Sequence, residues 1–275
     1  MNTNVVDNFK ALRVRALIWP VLLLMVLVAF LAFHGALDRE GYIGIQKEMF
    51  ISLNEILSKT PRLQYNLTQL GDAMIMLSFL AILVVYTPKV WEALVSGSLI
   101  SLLLCNLPKT FFAVPRPAAV LDHDAFVIVG KVLAGHNSLP SGHAVTIFTS
   151  LTVLGVAFWP KSFGAKFFWS FFVLAVGVVL GLTRVGVGAH YPMDVLFGGI
   201  LGYVSGVLGV FVAAKSRLWY WMGERRFYPV FLVAFLACAV VLIGKIMKEP
   251  LAVYYVAMFS LLVSSTVMLV KYVRK

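Results

Sequence analysis

Residues 167–213 read FFWSFFVLAVGVVLGLTRVGVGAHYPMDVLFGGILGYVSGVLGVFVA, and this stretch decides the fold class. Its two apolar runs, 167–184 and 193–213, are each long enough to cross a hydrocarbon core of about 30 Å as a helix. The short joint between them concentrates Arg184, His190 and Asp194. Ionisable groups at the ends of membrane spans are expensive to keep there, so they read first as functional groups. In the second run Gly198, Gly202 and Gly206 recur about one helical turn apart. Such a stripe of small residues lets a neighbouring membrane helix approach closely.

The pattern repeats outward from this pair. Further apolar runs occupy 16–33, 68–87, 90–108, 143–159, 228–246 and 251–270, giving eight predicted spans. The expected fold is all-α, a polytopic transmembrane helix bundle forming one membrane domain over 1–275. Within it, 1–67 is an anchor helix with an outer amphipathic segment, 68–213 a six-helix core completed by that anchor, and 214–275 two extra C-terminal transmembrane helices. Composition agrees: 61% of the residues are hydrophobic, 13% are charged, and the mean hydropathy is +0.92. A soluble domain carries about 25% charged residues. The net charge of +11 does not point to nucleic acid, because Lys and Arg lie mainly between the apolar runs. Cys105 and Cys238 both fall inside apolar runs, which fits neither a disulfide framework nor a zinc site. Lys10, Arg13 and Arg15 precede the first run, but no small-residue cleavage site follows before His34, so the run reads as an uncleaved anchor.

An even number of spans puts both termini on one side. If that side is the cytoplasm, thirteen of the 23 Lys and Arg residues lie inside: Lys10, Arg13, Arg15, Lys89, Lys161, Lys166, Lys215, Arg217, Arg225, Arg226, Lys271, Arg274 and Lys275. The positive-inside rule favours that orientation. The longer connections, 34–67 and 109–142, then face outward. Met49, Phe50, Leu53, Ile56 and Leu57 share a helical face in the first of them, predicting a short helix that lies on the membrane surface or caps the bundle.

Three polar clusters fall at the outer ends of spans: KTFFAVPRP from Lys109 to Arg116-Pro117, Pro140-Ser141-Gly142-His143, and the joint holding Arg184, His190 and Asp194. The topology brings all three to one membrane face. Lys109, Arg116 and Arg184 supply positive charge, and arginine offers a planar fork that matches phosphate oxygens. Ser141 and the Gly142 amide open a helix, where free N–H groups favour an anion. This constellation suits a phosphoryl group. His190 and Asp194, four apart at a helix start, share a face, and a carboxylate on one ring nitrogen would leave the other as nucleophile. His143, beside the phosphate cradle, would protonate the leaving oxygen.

These segments resemble the signature of the type 2 phosphatidic acid phosphatase superfamily: Lys-x6-Arg-Pro, Pro-Ser-Gly-His and Ser-Arg-x5-His-x3-Asp. Thr183 stands where that pattern has serine, and it keeps a hydroxyl. The resemblance covers roughly 68–213. It implies a phosphohistidine at His190 and chemistry that needs neither metal nor cofactor. It also implies a membrane lipid phosphate as substrate, such as lipid A phosphate, undecaprenyl diphosphate, phosphatidylglycerol phosphate or phosphatidate, with the protein in a bacterial inner membrane and its site facing the exterior. Two alternatives stay open: a lipid phosphotransferase using the same intermediate, and a non-catalytic lipid-phosphate transporter. Transporter sites favour the bilayer midplane, whereas these charges sit at span ends. Asp72 is expected to orient a site residue or cap a helix, and His136 and Asn137 to touch the headgroup or pack the loop. His123, between Asp122 and Asp124, reads as a solvated turn.

Overall fold

A computed structural model describes residues 1–274, so Lys275, counted above among the inside charges, lies outside the described residues. The chain is helical, with no strand among those residues. An N-terminal helix α1 (Asn2–Ala11) leads through a 3-10 turn into α2 (Ile18–Phe33). Three short helices follow: α3 (Arg39–Gly44), α4 (Lys47–Leu57) and α5 (Pro61–Thr68). Then come α6 (Ala73–Phe79), α7 (Leu83–Tyr86), α8 (Pro88–Phe112) and the single turn α9 (Pro117–Val120). The chain continues through α10 (Gly142–Ala157), α11 (Phe163–Gly186), α12 (Pro192–Lys215), α13 (Tyr228–Lys248) and α14 (Ala252–Val273).

Six stretches are long and apolar enough to cross a membrane: Val14–Phe33, Pro88–Val120, Phe163–Gly186, Pro192–Lys215, Arg225–Lys248 and Ala252–Val273. The protein is an integral membrane protein. The two other predicted spans differ from expectation. The run at 143–159 becomes α10, only 16 residues long. The run at 68–87 is not one helix. It breaks at Leu80–Ile82, where amide bonds tighten to the third carbonyl back (Ala81 to Ser78, Leu83 to Leu80, Val84 to Ala81). The Ser260 hydroxyl of α14 donates to the Phe79 carbonyl at 2.8 Å.

Helices α8, α10 and α12 form the centre. Glycine makes their contact close. An added Cβ on Gly198 would lie 2.7 Å from the Ser141 carbonyl oxygen, on Gly202 2.6 Å from that of Val145, and on Gly209 2.6 Å from that of Ala93. The predicted stripe of Gly198, Gly202 and Gly206 therefore seats α12 directly on α10, and Gly209, outside that stripe, seats it on α8. Pro192 at the start of α12 and Lys215 at its end suit the helix termini. Outside this centre, α2, α11 and α13 present their apolar side chains outward. The α1 helix buries Val5 and Phe9 at the far end of the bundle, where the Asn8 amide donates to the Ala157 carbonyl at 2.9 Å.

The 34–67 segment caps the bundle, one of the two arrangements its pattern allows. Phe50 is fully buried against Phe126 and Tyr191. Asn54, also buried, donates to the Val127 and Val185 carbonyls at 3.0 and 2.9 Å and accepts from the Val127 amide at 2.7 Å. Met49 and Ile56 stay exposed on the outer side.

Candidate active site

Local geometry brings the three clusters together at one end of the bundle. The α8 helix ends at Ala113, whose left-handed φ of 45° turns the chain before Pro115 and Pro117. That turn redirects Arg116, whose amide donates to the Gly135 carbonyl at 2.9 Å. One turn earlier on α8, the Lys109 ammonium reaches the start of α10: a Cβ on Gly142 would lie 3.3 Å from it. Glycine at 142 keeps that approach open. The Ser141 amide donates to the Asp194 carbonyl at 3.0 Å, joining the start of α10 to the first turn of α12. The joint between α11 and α12 folds back, with the Ala189 and His190 amides both directed to the Arg184 carbonyl. Gly188, at φ 75°, makes that return turn, and its missing Cβ leaves room for the Val127 carbonyl and the Phe126 ring.

The resulting recess holds two imidazoles among three cations. His143 lies in the field of Arg184, His190, Arg116 and Lys109. His190 is 1% exposed. Burial, reinforced by Arg116, Arg184 and Lys109, holds its imidazole well below the ordinary value of 6.5, while the Ser138 carbonyl pulls weakly the other way. Its ring is therefore neutral at neutral pH. Arg184 is buried, and its Nη1 donates to the Thr68 hydroxyl at 2.8 Å, leaving its Nε without a partner. Arg116 Nε donates to the Asn137 side-chain oxygen at 2.8 Å, leaving its Nη1 without a partner. Buried guanidinium donors left open in this way are suited to oxyanions.

Asp194 departs from the expected arrangement. Its Oδ2 lies 3.4 Å from His190 Nδ1, which makes no well-formed hydrogen bond. The fully buried carboxylate is occupied elsewhere: it accepts from the Tyr42 hydroxyl at 2.8 Å, the Ser138 hydroxyl at 2.6 Å and the Tyr191 amide at 2.9 Å. As the third residue of α12 it turns back to satisfy an amide at the helix start. It therefore fixes the joint that carries His190 and adds negative charge beside the ring. Tyr42 is itself held by its own segment, since Gln46 bonds both the Tyr42 carbonyl and the Met193 amide.

Other expected residues fall as follows. The Thr183 hydroxyl donates to the Leu180 carbonyl inside α11, so it is turned to its own helix. Asp72 caps α6, accepting from the Met74 and Ile75 amides, and its other oxygen lies 3.7 Å from Lys245. Its neighbour Gly71 touches the site instead: a Cβ there would lie 2.5 Å from that of His143. His136 is exposed on the rim, Asn137 orients Arg116, and His123 Nε2 lies 2.9 Å from the Ala118 carbonyl. No group of three metal-binding side chains forms among the described residues. Tyr42, Ser138, Thr68 and Gly71 escaped the sequence reading. Only the contiguity of Ser138 with Pro140–His143, and of Gly71 with Asp72, could have drawn attention to any of them.

Comparison with known proteins gives a consistent result. Residues 89–217, from α8 through α12, match the family model of the PAP2 superfamily. A lipid A 1-phosphatase from Rhizobium etli is 32% identical over 136 residues, which are 46% of this chain and 54% of that protein. The chain thus spans about half the length of that relative. An undecaprenyl-diphosphatase from Sulfolobus acidocaldarius is 26% identical over 204 residues, 73% of this chain and 93% of that protein. Among solved structures, the crystal structure of Aquifex aeolicus LpxE superposes with a TM-score of 0.50 at 25% identity, covering 61% of this chain and 95% of that one. The matched segment carries every side chain of the recess from Lys109 to Asp194, and over that segment the chain is similar to the PAP2 superfamily.

Proposed function

We propose that the protein is a lipid phosphatase that hydrolyses a terminal phosphate monoester or diphosphate on a membrane lipid through a phosphohistidine at His190. The carrying observation is the pair of imidazoles set among Lys109, Arg116 and Arg184. The cations and the N–H groups opening α10 at Ser141 and Gly142 bind the phosphoryl oxygens and stabilise their charge as it spreads. With His190 Nδ1 toward Asp194, Nε2 is the attacking atom. The N–P bond forms as the P–O bond to the lipid breaks, and His143, whose protonated form the bound phosphate's negative charge favours against the field of the three cations, gives its proton to the leaving oxygen. His143 then takes a proton from water, whose oxygen attacks phosphorus. The P–N bond breaks, and inorganic phosphate and neutral His190 are regenerated.

A lipid substrate is supported by the surroundings as well as by the relatives' names. An apolar groove of about 960 Å³ runs between α2, α8 and α12, lined by Leu31, Val114, Leu139 and Phe197 and passing Pro140 at the edge of the recess. A hydrocarbon chain placed there would direct its phosphate toward the recess, since Pro108 and Pro140, neighbours of Lys109 and Ser141, line the groove. The lipid A 1-phosphatases and the undecaprenyl-diphosphatase name the two substrate classes to try first. The distribution of Lys and Arg supports an inner-membrane orientation with the recess facing outward. The test is phosphate release from a panel of purified lipid phosphates and diphosphates. Wild type should release inorganic phosphate, and His190→Ala should lower the rate by at least roughly a thousandfold. Full turnover by His190→Ala sinks the mechanism. Loss of lipid phosphate without free phosphate, matched by phosphorylation of a second lipid, would mark a phosphotransferase.

A further inference from the structure

The two C-terminal helices lie outside the matched segment, yet their connection reaches the site's face. Between α13 and α14, residues 245–254 make four polar contacts with the stretch from α5 to the start of α6. The Tyr65 hydroxyl donates to Glu249 Oε2 at 2.5 Å. The Val253 amide donates to Asn66 Oδ1 at 3.0 Å, and the Tyr254 hydroxyl to Gln69 Oε1 at 2.9 Å. Lys245 lies 3.7 Å from Asp72. The last pair is partly exposed and contributes little. The other three converge on one short segment, Tyr65–Gln69.

That segment also faces inward. Thr68, 2% exposed, accepts the Arg184 guanidinium, and Gly71 packs against the His143 side chain. Tyr65 meets Gly130 as well, where a Cβ would come within 2.3 Å of its ring. Burial, then the bond to Glu249, pushes the Tyr65 hydroxyl up to about 12, so it remains a donor throughout the working range.

We propose that the α13–α14 connection is a positioning element: Glu249 and Tyr254 hold the Tyr65–Gly71 segment, and through Thr68 and Gly71 that segment aims Arg184 and His143. The inference rests on the phosphatase reading for its kinetic arm, while its binding arm needs only that Arg184 grips an oxyanion. Small displacements of groups that grip a reacting phosphoryl cost rate steeply.

The experiment uses the full-length protein in detergent, with Tyr254→Phe, Glu249→Ala, Glu249→Gln and Thr68→Val, and with Thr68→Val combined with Tyr254→Phe. Two quantities are read: kcat and KM for a lipid phosphate that wild type hydrolyses, and calorimetric affinity for inorganic phosphate. We expect Tyr254→Phe, Glu249→Ala and Thr68→Val each to lower kcat by roughly tenfold and to weaken phosphate binding several-fold, with KM for the lipid changed by less than about twofold. Glu249→Gln keeps an oxygen that accepts from Tyr65 and should restore both. The double variant should be little worse than Thr68→Val alone, because both changes act through one contact. Wild-type kcat and phosphate affinity in the Tyr254 and Glu249 variants overturn the proposal, as do effects that add fully to that of Thr68→Val. A lowered melting temperature with both quantities unchanged also overturns it, since that leaves the two helices only a stabilising role. If wild type releases no phosphate from any lipid tested, the phosphatase reading fails, and the phosphate affinities still decide this one.

Discussion

Asp194 accepts three hydrogen bonds in a fully buried position, and that arrangement separates two roles the spacing alone had merged. A carboxylate four residues after a histidine suggests a partner for its ring. The distance of 3.4 Å and the crowded oxygens make Asp194 first an anchor of the His190 joint. Ser138→Ala removes one donor from a buried carboxylate, which costs about 1–3 kcal/mol. Its expected result is a lowered melting temperature together with reduced kcat, measured by thermal unfolding in detergent and by phosphate release. Unchanged values in both would show that the Ser138 bond does not hold the joint. The His190 ring gives a sharper prediction. On the proposed mechanism it attacks only when neutral, and burial with Arg116, Arg184 and Lys109 sets its value below 6.5, so activity should persist as pH falls through 6.5 and be lost only lower. Removing a positive charge raises that value. Arg116→Gln should therefore lower the rate and also move the acid limb of kcat/KM to higher pH. A wild-type acid limb at or above 6.5, or one that Arg116→Gln leaves in place, contradicts the electrostatic account.

Helices carry most of what the sequence made legible. The ends of α8, α11 and α12 follow from apolar run length and from the charges that interrupt it, and the Gly198–Gly206 stripe announces the contact with α10. The break between α6 and α7 was hidden, because apolarity continues across Leu80–Ile82 and no proline or glycine marks the change of hydrogen-bond register. The α1 helix was hidden too, since its buried face amounts to Val5 and Phe9 in an otherwise polar segment. Thr68 and Tyr42 were illegible for a related reason: a lone hydroxyl has no period, and its partner lies more than a hundred residues away. The glycine contacts themselves can be tested. A methyl on Gly202 meets the Val145 carbonyl oxygen at 2.6 Å, a backbone atom that cannot swing aside. Gly202→Ala should cost about 1–3 kcal/mol by overpacking, seen as a melting temperature lower by several degrees. Gly198→Ala meets the Ser141 carbonyl at 2.7 Å and should lower kcat as well, because it pushes on the turn that opens the phosphate cradle. Gly44, with nothing within 4 Å, should accept alanine without loss. Equal tolerance at all three positions would mean that α10 and α12 are not in close contact.

For the molecule as a whole the open quantity is its direction in the membrane, and the charges argue for one answer. The apolar runs assign thirteen of the 23 Lys and Arg residues to the side of the termini, and three of the remaining ten (Lys109, Arg116 and Arg184) belong to the recess, where the proposed function gives them a phosphate to bind. Setting those three aside sharpens the contrast that the positive-inside rule weighs. The cap formed by α3, α4 and α5 lies on the recess side, since Tyr42 bonds Asp194 and Thr68 bonds Arg184. Its exposed Lys47 and Lys59 should therefore face the exterior, while exposed Lys161 and Arg217, at the opposite ends of α10 and α12, should face the cytoplasm. Single cysteines at these four positions separate the outcomes once Cys105 and Cys238 are replaced by alanine. In intact cells a membrane-impermeant maleimide should label Lys47→Cys and Lys59→Cys, and should reach Lys161→Cys and Arg217→Cys only after the membrane is opened. The reverse pattern would turn the recess toward the cytoplasm, and its lipid phosphate would then have to come from the inner leaflet.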